Sequence, residues 1–326
     1  MPLNKMKYIL GGGIAGLIFA YYNKDYRIIS PDIGGQFKNH FPLGPRYLHQ
    51  TKEAKEFLKE LGMPIKPMLI RIGYWHKGKF IKPDQEFRQQ YFMKSRGKDN
   101  LDGFDETVMT GDKREFTAIQ VDFEVLIAKL RELLKDRIII DKIQKINLTQ
   151  RKLLGEKEEY QYEKLISSIP KCFFLKMAGL PCDKLKSRDV TYVLLDGSYL
   201  RLGLNDYVYY LKPEAITHRL TRAGDQIVAD VVGAREEKEL KEHFGEYYKD
   251  HRVLKGAQIV SGDVTLYLLI PFISTPVLDS VNASSLKYIV SIDCISWEAN
   301  CKTICKSLSL LVDSINKIAP DFFVRP

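Results

Sequence analysis

The chain has 326 residues, 45% of them hydrophobic and 28% charged, with a formal net charge of +9. A chain of this length buries a large core, as one elaborated domain or two interleaved ones, and its ordinary Gly and Pro contents exclude a low-complexity or fibrous protein. The basic residues are spread along the chain, which favours an anionic ligand such as a phosphate or nucleotide over a nucleic-acid tail, or marks only a lysine-rich surface.

The first ordered stretch is Tyr8-Ile-Leu-Gly-Gly-Gly-Ile-Ala-Gly-Leu-Ile-Phe-Ala20, a short apolar strand running through Gly11-x-Gly13-x-x-Gly16 into a helix. In a nucleotide-binding turn Gly11 permits the bend, Gly13 lets the backbone meet a pyrophosphate, and Gly16 lets the helix pack on the sheet. The backbone N–H groups of Ile14 and Ala15, at the helix N-terminus, then face the phosphates. A glycine-rich turn without a ligand is the alternative. Lys5 and Lys7 ahead of an apolar run imitate a short secretory signal, but three glycines would break its helix. No apolar run reaches the length of a membrane span, so a cytoplasmic protein is expected.

Tyr26 to Ser30 reads as a second parallel strand. Its end is where dinucleotide folds place an acid on the adenosine ribose; Ser30 stands there, followed by Pro31 and Asp32. Gly34-Gly35-Gln36 and then Gly44 to His49, with Arg46, come next. Gly11-x-Gly13-x-x-Gly16, a strand and Gly34-Gly35 in this order resemble the opening of the FAD-dependent amine oxidase and UDP-galactopyranose mutase-like superfamily. The resemblance implies a Rossmann-like FAD-binding domain with a central parallel sheet. Interleaved with it would be a substrate domain on an antiparallel sheet, the whole being α/β. It implies FAD as cofactor, its pyrophosphate along Gly34-Gly35-Gln36, and the loop carrying Arg46 and His49 near the flavin ring. Loop capping is the other role open to Arg46 and His49.

Lys52 to Leu61 reads as an amphipathic helix closed by Gly62 and Pro64, and Met68–His76 with Lys79–Ile81 as a β-hairpin. Phe87 to Lys94 fits a helix; Gly97 to Gly111 is a loop. The resemblance places inserted segments here over the substrate, so Lys94 and Arg96 are candidate anion contacts. Leucines and isoleucines at helical spacing predict one helix over 116–135, opening with Thr117. Strands at 137–140 and 143–146, a hairpin over 153–162 and a strand from Glu163 to the Ser168-Ile169-Pro170 turn follow. This order also matches the superfamily, where the strand of Ile143 gives backbone contacts to adenine.

Residues 190–195, 206–211, 217–220 and 226–232 read as an antiparallel sheet. Tyr209, Tyr210, His218 and Arg219 correspond to the aromatic strand and the arginine that face flavin and substrate in the family, although tyrosines also suit sheets for packing alone. A charged helix over 236–249, strands at 264–271 and 286–293, and a helix from about Asn300 to Ile318 complete the reading. Trp297 matches a flavin-contacting position of the family, but Ile292-Asp293 stands where its members carry Gly-Arg. The domains expected are 1–85, 112–172 and 285–326 for FAD, and 86–111 and 173–284 for substrate. Cys172, Cys182, Cys294, Cys301 and Cys305 lack a metal-site spacing and read as reduced thiols, and no metal is expected.

These readings describe an FAD-dependent oxidoreductase acting on a C–N bond of a small amine or anionic substrate. Catalytic candidates are His49, His218 and Arg219; Tyr209 and Tyr210 join Lys94 and Arg96 at the substrate. A flavin-dependent mutase acting on a nucleotide sugar and a cofactor-free binding protein are the alternatives. Direct nucleic-acid binding and membrane association are not expected, and oligomeric state is left open.

Overall fold

The computed structural model describes residues 6–35, 37, 47–76, 79–82, 84–96, 115–181, 186–199, 206–210 and 216–261. The readings at Gln36, Gly44, Arg46, Gly97 to Gly111, Cys182 and everything beyond Ser261, including Trp297, lie outside the described residues. In chain order β1 (Met6–Gly12), α1 (Ile14–Tyr22) and β2 (Tyr26–Ile33) are followed by β3 (Tyr47–His49) and α2 (Lys52–Glu60). Then come β4 (Lys66–His76), β5 (Lys79–Ile81), α3 (Gln85–Arg96), β6 (Glu115–Gln120) and α4 (Phe123–Leu134). Four strands follow: β7 (Ile138–Ile140), β8 (Ile143–Asn147), β9 (Lys152–Gly155) and β10 (Glu159–Ser167). After α5 (Lys171–Met177) come β11 (Lys186–Asp196), β12 (Tyr207–Tyr210), β13 (Thr217–Ala223), β14 (Gln226–Val232), α6 (Glu237–Phe244) and β15 (Tyr248–Ser261).

A six-stranded sheet runs β7-β2-β1-β10-β9-β8. Its first four strands are mutually parallel, and β9 and β8 extend it antiparallel. The strand read from Glu163 and the second arm of the hairpin before it are one continuous strand. β10 pairs antiparallel with β9 over Glu159–Gln161 and parallel with β1 from Tyr162 onward.

The larger, nine-stranded sheet runs β15-β11-β14-β13-β12-β4-β6-β3, with β5 paired to β4. It is antiparallel except at β4–β12. Residues 47–85 and 115–120, grouped by sequence with the FAD-binding unit, supply β3, β4, β5 and β6 to this sheet.

Two expectations change. The helix expected from Phe116 begins only at Phe123, because the Asp122 carboxylate accepts the N–H groups of Glu124 and Val125 at 3.0 and 3.1 Å and caps α4 there. The residues before it form β6. The helix expected over 236–249 stops at Phe244, where Gly245 takes φ +58° and the chain turns into β15.

The packing ties the two sheets together. Ile9, Leu17 and Ile28 of the parallel sheet and α1, Leu58 of α2 and Leu126 of α4 form one fully buried cluster that also takes in Leu48 of β3 and Ile119 of β6. Each such side chain contributes about 1.5–3 kcal/mol on burial. The opposite face of β3–β6 turns to an aromatic cluster containing Tyr74, Phe87, Tyr207 and Tyr209. The far face of β11–β14 is covered by Leu240 and Phe244 of α6.

Candidate functional site

The first candidate surface is the turn between β1 and α1. Gly11 adopts φ +109°, and a Cβ there would fall 2.5 Å from Ser168 Oγ. A Cβ on Gly16 would sit 2.1 Å from the Gly11 carbonyl oxygen, so the contact of helix with strand requires glycine. Gly13 differs. Its backbone lies at φ −72°, ψ 173°, which any residue adopts, and an added Cβ would meet nothing nearer than the Gly35 Cα at 4.0 Å. Among the described residues there is thus room for a side chain at Gly13.

Gly13 is also the N-cap of α1; it has no side chain to cap the first N–H groups, and no acidic residue lies in the first turn. Those amides, with the helix dipole behind them, have the chemistry to face an anion. Ala15 is half-buried beside it, whereas the Ile14 side chain points into the core, so Ile14 contributes only backbone. Gly34 and Gly35 close over the turn: the Gly34 N–H donates to the Gly12 carbonyl at 2.9 Å, and Gly35, at φ +56°, lies against Gly13.

Ser30 is placed differently from the ribose contact read in the sequence. Its hydroxyl oxygen accepts the Gly12 N–H at 2.9 Å, and the residue is only 5% exposed, so the side chain braces the turn from within. β2 runs on through Pro31 and Asp32 to Ile33. Ile143 lies on β8, the edge strand of the six-stranded sheet, paired with Gly155. The acid beside it, Asp141, accepts from the Tyr160 hydroxyl at 2.8 Å and from the N–H groups of Lys142, Glu156 and Lys157. Burial alone would raise its pKa, but the Tyr160 hydroxyl and backbone donors together hold it below the ordinary carboxylate value.

The second surface is the aromatic face of the larger sheet. His49 stacks on Phe116 (5.6 Å) and meets Tyr47 edge-on (5.7 Å). Its Nε2 is buried without a hydrogen-bond partner among the described residues, and burial holds the imidazole below its ordinary pKa and therefore neutral at pH 7. Tyr209 stacks on Tyr74 at 5.6 Å and takes Tyr91 of α3 edge-on at 5.2 Å. Directly across from Tyr209 is Arg219. Its Nε and Nη2 both donate to Asp230 Oδ2, at 2.7 and 2.5 Å. Burial alone would lower the Arg219 pKa; the carboxylate outweighs it and holds the guanidinium firmly charged. His218 Nε2 lies 3.9 Å from the same oxygen.

The fold thus brings Tyr209, His218 and Arg219 together and sets Tyr210 and Lys94 apart from them. Tyr210, one residue on, points to the opposite face and packs among Val208, Leu220 and Trp75. The Lys94 ammonium donates to the carbonyls of Tyr210 and Thr217 at 3.1 and 2.9 Å and straps α3 to the sheet. Arg96 belongs to α3, but its side chain is outside the described residues. Three residues of the cluster were not anticipated: Asp230, Tyr91 and Tyr192. A lone acid inside the apolar run Gln226-Ile-Val-Ala-Asp-Val-Val232 was the available signal, since a buried carboxylate needs a partner.

No known protein family matches the sequence, and no curated protein matches it either. Solved structures do match in fold. Reduced UDP-galactopyranose mutase is 12% identical, covering 79% of this chain and 85% of that one, with a TM-score of 0.56. A CLA-producing fatty acid isomerase from P. acnes is 14% identical over 78% and 87%, at 0.54. L-proline dehydrogenase from P. horikoshii is 11% identical over 94% and 95%, at 0.51. The chain shares the fold of these solved structures, a mixed α/β architecture that joins a parallel-rich sheet to an antiparallel one. Among the described residues no helix is long and apolar enough to cross a membrane.

Proposed function

We propose that the chain is an FAD-dependent oxidoreductase of the amine oxidase type, acting on a C–N bond of a small substrate. The observation that carries this reading is Gly13, a glycine N-cap at an ordinary backbone conformation with open space, among the described residues, where a side chain would stand. A pyrophosphate needs that space, and the residues present fit it. Gly13 and Ala15 would hold the phosphates through their N–H groups, with Gly34 and Gly35 alongside. FAD, when bound, supplies the hydride acceptor.

The chain's own residues would orient the substrate and exclude water. The half-buried rings of Tyr47 and Phe116, backed by buried Tyr74 and Tyr209, would supply the apolar, polarisable contacts. His49, which burial holds neutral, would accept a proton from an ammonium substrate, the form in which an amine enters at pH 7. Arg219 would fix a substrate oxygen.

A mutase-like reading on a nucleotide sugar draws support from Arg219 among its tyrosines. Oxygen uptake with peroxide release distinguishes the oxidase; a requirement for prior flavin reduction, with no net electron turnover, distinguishes the mutase. The test is the absorbance spectrum of the purified protein before and after added FAD, then anaerobic titration with amines and nucleotide sugars. A colourless protein that takes up no FAD would overturn both readings and leave a cofactor-free binding protein. We place the protein in the cytoplasm, a placement that fractionation tests.

A further inference from the structure

We propose that Asp230 is a positioning residue for the substrate face: it holds Arg219 by one edge so that the remaining nitrogen, Nη1, is offered to an oxyanion of the ligand. This rests on the reading of the aromatic face as the substrate side. The register between β13 and β14 shifts between Thr217 and Arg219, so His218 is an extra residue in β13 and both it and Arg219 meet Asp230. Such bulges re-aim side chains. Both bonds of the pair come from the Nε and Nη2 edge and end on one carboxylate oxygen, leaving Nη1 outside the ion pair.

Exposure differs across the pair: the Asp230 side chain is 4% exposed and that of Arg219 is 29%. The acid is therefore the fixed partner and the guanidinium the presented one. Tyr209 stands across the strand from Arg219, Tyr192 of β11 lies opposite Asp230, and Tyr91 comes down from α3 onto Tyr209. The register places Tyr209, Tyr192 and Arg219 on one face of the sheet, where a charged guanidinium suits a phosphate or carboxylate oxygen. Stability alone does not account for the pair, since apolar residues of similar volume serve a sheet at least as well.

The test is calorimetry on the full-length, FAD-loaded protein with uridine diphosphate as the phosphate probe and benzoate as the carboxylate probe. Wild type should bind one of them, which identifies the source of the oxyanion. Asp230→Asn should weaken that binding by about tenfold or more, the loss of one charge-assisted hydrogen bond geometry. Asp230→Glu should recover part of it, and FAD affinity should stay unchanged throughout. Arg219→Lys keeps the charge and loses the fork, and decides the matter where the Asn variant does not fold. Wild type binding neither anion, or either variant binding as wild type does, overturns the proposal. A wild type that takes up no FAD refutes the flavin reading instead, and the same titration on the unloaded protein still decides the oxyanion site.

Discussion

Alanine at Gly13 separates the two duties a glycine can have. The added methyl meets no protein atom nearer than 4.0 Å, on a backbone at φ −72°. Replacing glycine at such a site stabilises by about 0.4–1 kcal/mol through the unfolded chain. The preference of N-cap positions for glycine over alanine offsets a similar amount. The melting temperature should therefore barely move. Against a pyrophosphate the same methyl overpacks, at about 1–3 kcal/mol, or roughly 5- to 150-fold in Kd. Flavin fluorescence titration reads the second effect and a thermal melt the first. Gly16→Ala is the counterpart: its methyl would lie 2.1 Å from a backbone oxygen, so that variant should lose stability before binding can be measured. A Gly13→Ala protein that binds FAD like wild type, or one that melts as early as Gly16→Ala, refutes the reasoning.

Ser30→Ala leaves the buried Gly12 N–H without its acceptor and should cost about 1–3 kcal/mol, read by chemical denaturation. Asp230→Ala strands a partly buried guanidinium and should cost about 3 kcal/mol, whereas the double replacement Arg219→Met with Asp230→Leu should restore much of that in a melt. Asp122→Ala removes the cap of α4 and should cost about 1 kcal/mol, measured in the same way. Asp141, with its pKa depressed in the fold, contributes stability that is present above the ordinary carboxylate value of 3.8 and lost as pH falls through the folded value. Asp141→Asn should flatten the acid limb of the stability curve below about pH 4, and an unchanged limb would assign acid unfolding to other carboxylates.

The glycine turn was legible because each of its demands is local: a bend, a close helix, an open cap. Strands with one wet face were legible by alternation. β6 was not, because Ala118 and Ile119 are both buried, on opposite sides, and a strand covered on both faces loses its two-residue period and merges with the helix after it. β10 reads as two elements because it changes partners partway. Tyr209 and Tyr210 could not be assigned to faces, since a one-residue slip exchanges them. The bulge at His218 depends on tertiary contacts and leaves no local signature, so the meeting of His218 and Arg219 on Asp230 was hidden although all three residues were in plain view.

The bond from Ser168 has a consequence for how the protein is made. Its hydroxyl donates to the carbonyls of Leu10 and Gly11, across 158 residues of sequence from Leu10. β1 likewise waits for β10 before its second edge is closed. At about 5–20 residues per second, a ribosome takes roughly 8–30 s to deliver that partner after the glycines emerge. Until then β1 keeps an open edge and the turn is unbraced. On the proposed reading, cofactor loading would belong to the second half of synthesis or later, and a chain truncated before Ser168 should show no affinity for a dinucleotide despite carrying every glycine of the motif.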